Sequence, residues 1–317
     1  MPETASLDPV MLMQLAAIAY DAKDFVRLSV DTHFMGRVKV VWGPEEAYHV
    51  FGVPVPYSAA FIAHGPGEGQ YTVVIRGTEA NSLMSWVTED FEVGPVPFSQ
   101  FAANAPPNAM ISKGTSNGLK DLLSLGQPGN GIVDFLSKVS PTTLYVTGHS
   151  LGGTLTPALF AYLNYRLRGG EHVDDMAPCS FAGLTAGNRE FNDYFNGLFT
   201  CPTPWRFYNT LDIAPILWHG TRADLEQLYE LPGLNLPYEG VEAWALDTLL
   251  RDAKPVGYEQ PGGDYALAGT PDTSCTSWIK EALAQHHHGA YLTLVNREFQ
   301  AAPPVPAAVQ PQSAPLA

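Results

Sequence analysis

The 317 residues, 45% of them hydrophobic and 11% aromatic, can fill a sizeable core, so the chain reads as globular. Lys and Arg number 17 against 32 Asp and Glu, and the formal charge of −15 excludes nucleic acid and other polyanionic partners. Cys179, Cys201 and Cys275 cannot all pair within one chain and match no zinc-ligand spacing; they read as free buried thiols, with room for one disulfide.

The first stretch, "MPETASLDPVMLMQLAAIAYDAK", carries acidic residues where a secretory signal needs positive charge. Asp8 is placed to cap a helix with Pro9 at its first position, and Leu12, Leu15, Ala16 and Ala19 share one face. With no recognisable signal peptide, the expectation is a cytoplasmic protein or one exported by a non-standard route. No run of about 18 apolar residues exists, so no transmembrane helix is expected.

Further along, "YTVVIRGT" at 71–78 and "TTLYVT" at 142–147 read as strands on either side of a helical region near 116–138. "LGGTLTPALFAYLNYRL" reads as a helix whose Leu151, Leu155, Leu159 and Leu163 form one stripe facing a sheet. "CSFAGL" at 179–184 and "WRFYNT" at 205–210 are again strand-like. This alternation predicts an α/β protein with a mostly parallel sheet and helices on both faces. Residues 1–300 read as a single domain without internal repeats, and the uncharged, Pro/Ala-rich 301–317 as a disordered tail.

"LYVTGHSLGG" sets Ser150 between a strand and a helix, with Gly148 and Gly152 two positions to either side. A nucleophilic serine on a sharp strand-to-helix turn needs small residues at those two positions to avoid clashes. A helix N-cap serine would explain the hydroxyl but neither glycine. The helix N-terminus also directs the Leu151 amide towards a developing oxyanion. His149 is taken as a packing or hydrogen-bonding residue, because its side chain leaves such a turn on the other side.

A serine nucleophile needs a general base, and the base a carboxylate that holds its tautomer. In this fold the order is Ser, then Asp or Glu, then His, which leaves His172, His219 and the run His286, His287, His288 as bases. Asp212, in "FYNTLDIAPILW", follows a strand-like run at the sheet's carboxyl edge, where such sites collect. A metal site on the three histidines would lack a completing Cys or carboxylate pair, so no metal is expected.

"VTGHSLGG", "IRGTEANSLMSWVTEDF", "NTLDIAP" and "QHHHGAYL" together resemble the class 3 lipases, the fungal triacylglycerol lipase type, over roughly residues 10–300. The resemblance implies an α/β-hydrolase fold, with Asp212 as the acid in an N-x-x-D-x-x-P context made by Asn209, Asp212 and Pro215. It implies an oxyanion-hole residue at Thr78, after Arg76-Gly77, although a strand-end turn would use that threonine as a helix cap. The family histidine precedes an aromatic residue by three to five positions; Tyr291 satisfies this for both His286 and His288, and Gln285 before His286 favours the former.

The resemblance further implies a short lid from about Ala80, with Leu83, Met84, Trp86, Val87 and Phe91 as its apolar, lipid-facing residues; fixed core is the competing reading. "ISKGTSNGL" at 111–119 lacks the family's usual histidine and aromatic, and the long segment between Asp212 and His286, with "WALDTLL" and "EQPGGDYALAG", is expected to shape the acyl or alcohol pocket. The expected activity is triacylglycerol hydrolysis at a lipid–water interface, without cofactor. Phospholipase A1 and feruloyl-type esterase are the enzymatic alternatives, and a catalytically silent hydrolase-fold binding protein is the non-enzymatic one.

Overall fold

The computed structural model describes residues 8–48, 56–77, 92–168, 173–199 and 205–300. Among them, seven strands form one sheet: β1 (Lys39–Tyr48), β2 (Pro56–His64), β3 (Gln70–Ile75), β4 (Thr143–His149), β5 (Asp175–Phe181), β6 (Arg206–Asn209) and β7 (Asp264–Leu267). They lie side by side in chain order. The first three pair antiparallel, and β3 to β7 run parallel.

The helices are α1 (Pro9–Ile18), α2 (Lys23–His33), α3 (Lys113–Ser124), α4 (Ile132–Val139), α5 (Leu151–Leu167), α6 (Arg189–Asn196), α7 (Arg222–Gln227), α8 (Gly240–Ala253), α9 (Trp278–His286) and α10 (His288–Phe299). Successive strand residues serve opposite faces. Leu144 and Val146 of β4 join the core under α3, α4 and α5, whereas Tyr145 between them packs with Leu12, Met13 and Ala16 of α1 and Leu294 and Val295 of α10. Helices on both faces and a mostly parallel sheet make this an α/β-hydrolase fold.

The expected N-terminal helix starts as its sequence dictates: Asp8 accepts from the Val10 and Met11 amides, with Pro9 in the first turn. The leucine stripe of α5 is buried, as are most of the helix's other faces. Pro157 lies inside α5 and has no N–H for the Gly153 carbonyl. The Ser180 hydroxyl donates to that carbonyl instead, at 2.9 Å, tying the helix to β5.

Two strands differ from the sequence expectation. β5 spans "DMAPCSF", starting four residues before "CSFAGL" and ending at Phe181, where Ala182 takes a positive φ of 53°. Pro178 pairs with Val146 in its interior, an unusual place for proline, and it masked the strand's beginning. β7 lies inside the long segment between Asp212 and His286, so part of that segment completes the sheet rather than a pocket. Arg206 of β6 holds it through Asp264, Nε to Oδ1 2.6 Å.

A smaller antiparallel sheet joins Pro95–Pro97, Met110–Ser112, Gly187–Asn188 and Tyr258–Glu259. Cys275 is a free thiol that burial pushes up to about 11, and Cys179 is buried; Cys201 lies outside the described residues. No helix among the described residues is long and apolar enough to cross a membrane.

Candidate active site

Ser150 stands at the junction of β4 and α5 with φ 61° and ψ −122°. A non-glycine residue in that region carries strain of roughly 1–3 kcal/mol, tolerated only where the surroundings enforce it. They do so here by close approach. A Cβ on Gly148 would lie 2.5 Å from the Gly152 carbonyl carbon, and one on Gly152 would lie 2.3 Å from the Ile75 carbonyl oxygen. The Ser150 amide donates to Phe181 O at 3.0 Å, so β5 clamps the turn from its other side.

The sequence separates the three predicted residues widely, and the fold brings them together. β4 delivers Ser150, the loop after β6 delivers Asp212, and the end of α9 delivers His286. Ser150 Oγ lies 2.7 Å from His286 Nε2. His286 Nδ1 lies 3.0 and 2.9 Å from Asp212 Oδ1 and Oδ2. All three side chains are buried.

The three consecutive histidines have three different surroundings. α9 ends at His286 and α10 starts at His288; between them, His287 is exposed and accepts from the Gly289 amide, capping α10. The His288 ring stacks on Tyr20 with centroids 4.6 Å apart. The hydroxyl of Ser150 is therefore hydrogen-bonded to the first of the three.

Asp212 is itself fixed by groups that sequence reasoning had given no such part. The Ala214 amide donates to Oδ1 at 2.9 Å, and the Tyr291 hydroxyl donates to Oδ2 at 2.7 Å. Tyr291 is buried and in turn accepts from the Asn209 amide at 3.0 Å. Burial, followed by the charge of Asp212, keeps the Tyr291 phenol protonated. Asn209 Nδ2 donates to the backbone and side-chain oxygens of Gln285, and Gln285 donates to the Thr270 carbonyl and to Glu281 Oε1. The Asn209–Gln285 pair couples the aspartate loop to the residue before His286. Both residues stood in quoted motifs, and Tyr291 had been a spacing marker only.

Behind the serine, Tyr20 reaches in from the end of α1 to His149. Its hydroxyl lies 2.8 Å from His149 Nδ1, and the His149 and His286 ring centroids are 5.1 Å apart. His149 is thus a buried packing and hydrogen-bonding residue. No spacing signal pointed to Tyr20. Gly77 runs so close that a Cβ there would lie 2.2 Å from the Tyr20 hydroxyl and 3.0 Å from Ser150 Cβ. Leu151 occupies the first position of α5, whose N–H has no partner within a helix. Thr78 and the expected lid, with Leu83, Met84, Trp86, Val87 and Phe91, lie outside the described residues.

Burial, then the nearby His286, holds the His149 imidazole well below its ordinary 6.5. Burial likewise lowers His288 to about 4. In the unfolded chain both take protons near 6.5, so acid adds protons preferentially to the unfolded state. Their contribution to stability is present above that pH and lost as the pH falls from 6.5 towards 4. A melting temperature followed from pH 7.5 to 4.5 should decline, and His288→Gln should flatten the decline; an unchanged slope would refute the assignment.

The class 3 lipase family model matches residues 72–220. The segment contains Ser150 and Asp212 and ends before His286. The crystal structure of M37 lipase resembles this fold with a TM-score of 0.75, at 23% identity, covering 90% of this chain and 91% of that one. The Rhizomucor miehei triacylglyceride lipase gives 0.50 at 19% identity, over 66% of this chain and 72% of that one. A nonglycosylated Yarrowia lipolytica lipase gives 0.50 at 18%, over 66% and 73%. These likenesses show the fold. No curated protein matches the chain by sequence.

Proposed function

We propose that this protein hydrolyses carboxylic esters, triacylglycerols foremost, through an acyl-enzyme formed on Ser150. The observation that carries the reading is the continuous path from Ser150 Oγ to His286 Nε2 and from His286 Nδ1 to Asp212. Oγ attacks the ester carbonyl carbon while Nε2 takes its proton, and the imidazolium so formed is stabilised by the Asp212 carboxylate. The tetrahedral oxyanion is received by the Leu151 amide, with Thr78 as the second donor. Nε2 then protonates the departing alkoxide. A water molecule repeats the sequence on the acyl-enzyme, releasing the fatty acid and restoring the Ser150 hydroxyl.

Tyr291 and the Ala214 amide have a defined part in this scheme. By donating to Asp212, they fix the orientation of its carboxylate and leave its acceptor edge towards Nδ1–H. The tautomer with its proton on Nδ1 leaves Nε2 basic towards the serine. The substrate class rests on the family match and on the apolar composition of residues 83–91, four of whose large apolar side chains fall within five positions.

A fluorophosphonate probe should label the protein once, on the peptide containing Ser150, and lipolysis should be highest on emulsified long-chain triacylglycerol compared with phosphatidylcholine and an aryl ester. Absence of labelling would refute the serine mechanism. A preference for soluble short esters without activation at an oil surface would refute the lipase assignment, and preferential turnover of phosphatidylcholine would transfer it to a phospholipase.

A further inference from the structure

The segment between Asp212 and His286 contains a cleft of about 590 Å³, within the range of roughly 300–1,000 Å³ usual for small-molecule sites. Its lining contains none of Ser150, Asp212 or His286. The buried side chains Trp218, Leu250 and Tyr258 give it an apolar floor, and His219, Arg251 and Lys254 also line it. Arg222 and Asp247 belong to the lining too, but they neutralise each other as an ion pair, and Glu226 also binds Arg222 at 2.6 Å.

The remaining cations are less committed. Arg251 contacts its neighbour Asp252 through Nε alone, at 3.3 Å, and its two terminal amino groups make no hydrogen bond among the described residues. Lys254 is exposed, and its ammonium group makes no ion pair or hydrogen bond among them. Open cationic donors above an apolar floor are unusual on a chain of net charge −15. They complement a ligand with one anionic end and a hydrocarbon body.

The backbone supplies an independent sign of function. Trp218 has a φ of 79°. A bulky aromatic residue at positive φ is a genuine outlier, of the kind that collects at ligand sites. Here it fixes the indole that forms part of the cleft floor.

We propose that this cleft is a second, non-catalytic site for a fatty acid carboxylate, with the head group on Arg251 and Lys254 and the alkyl chain across Trp218, Leu250 and Tyr258. The cleft's chemistry is read from its own lining; that the ligand is a released product rests on the ester-hydrolase reading. A fatty acid held here would stay with the protein after leaving the serine, making the site a sensor of accumulated product.

The test is isothermal titration of the full chain carrying Ser150→Ala with decanoate below its micellar concentration. One decanoate should bind per chain, and the added double substitution Arg251→Ala/Lys254→Ala should weaken it by about tenfold or more, as expected for loss of charge-assisted contacts. Decanol should bind comparably more weakly, and decyl phosphate no more tightly than decanoate. With Ser150 intact, the double variant should turn over a soluble ester like the parent. Equal binding of decanoate by both proteins, equal binding of decanol, or no binding would overturn the proposal; tighter binding of decyl phosphate would assign the cleft to a phosphorylated lipid instead. If the fluorophosphonate labels nothing while decanoate binds as stated, the hydrolase reading fails and the cleft assignment stands.

Discussion

Replacing His286 with alanine should lower kcat for ester hydrolysis by about 10⁴- to 10⁶-fold, whereas His288→Ala should stay within about tenfold of the parent. The contrast follows from geometry, because only the first ring of the run joins Ser150 to Asp212. His288 stacks on Tyr20, so its loss removes a packing contact. Initial rates on a soluble ester, with the melting temperature as a control for folding, check the pair. Loss of turnover only in His288→Ala would overturn the assignment of the base.

Asp212→Asn should cost about 10⁴-fold in kcat with little change in overall structure. The carboxylate serves three donors at once: His286 Nδ1–H, the Tyr291 hydroxyl and the Ala214 amide. An asparagine keeps one oxygen. If that oxygen faces the Ala214 amide, its NH₂ must face Nδ1 and favours the tautomer with the proton on Nε2, where the serine's proton has to go. If it turns the other way, a donor meets the Ala214 N–H. Each arrangement also leaves a buried group mismatched, worth about 1–3 kcal/mol. Tyr291→Phe separates the two effects, since it removes one donor and leaves the charge; its kcat should fall far less than that of Asp212→Asn. Equal losses would show that the tyrosine, rather than the carboxylate charge, sets the histidine.

The sequence made the strained turn legible because its requirements are local. Gly148 and Gly152 flank a serine that takes a positive φ, and the close contacts that exclude a Cβ lie within the turn itself or on the adjoining β3. Asp212 was legible because a strand-like run led into it. The register of the histidine run was only partly so: spacing to Tyr291 suits His286 and His288 alike, and the choice depends on α9 stopping at the first of them. Beside that stop lies the Asn209–Gln285 contact, which spans distant parts of the chain. Pro178 argued locally against the strand it occupies, and β7 was hidden in a segment expected to shape a pocket. Tyr20 had no signature, because its part depends entirely on where α1 docks.

α1 and α10, at opposite ends of the described chain, share one core beneath the sheet, and the residues next to them, Tyr20 and His286, meet the nucleophile turn from two sides. The order of synthesis then controls chemistry. A nascent chain that has already folded its glycine turn and aspartate loop still lacks His286 and the helix that carries Tyr291, which follow them in sequence. On the proposed mechanism, hydrolysis therefore waits until α10 has closed against α1.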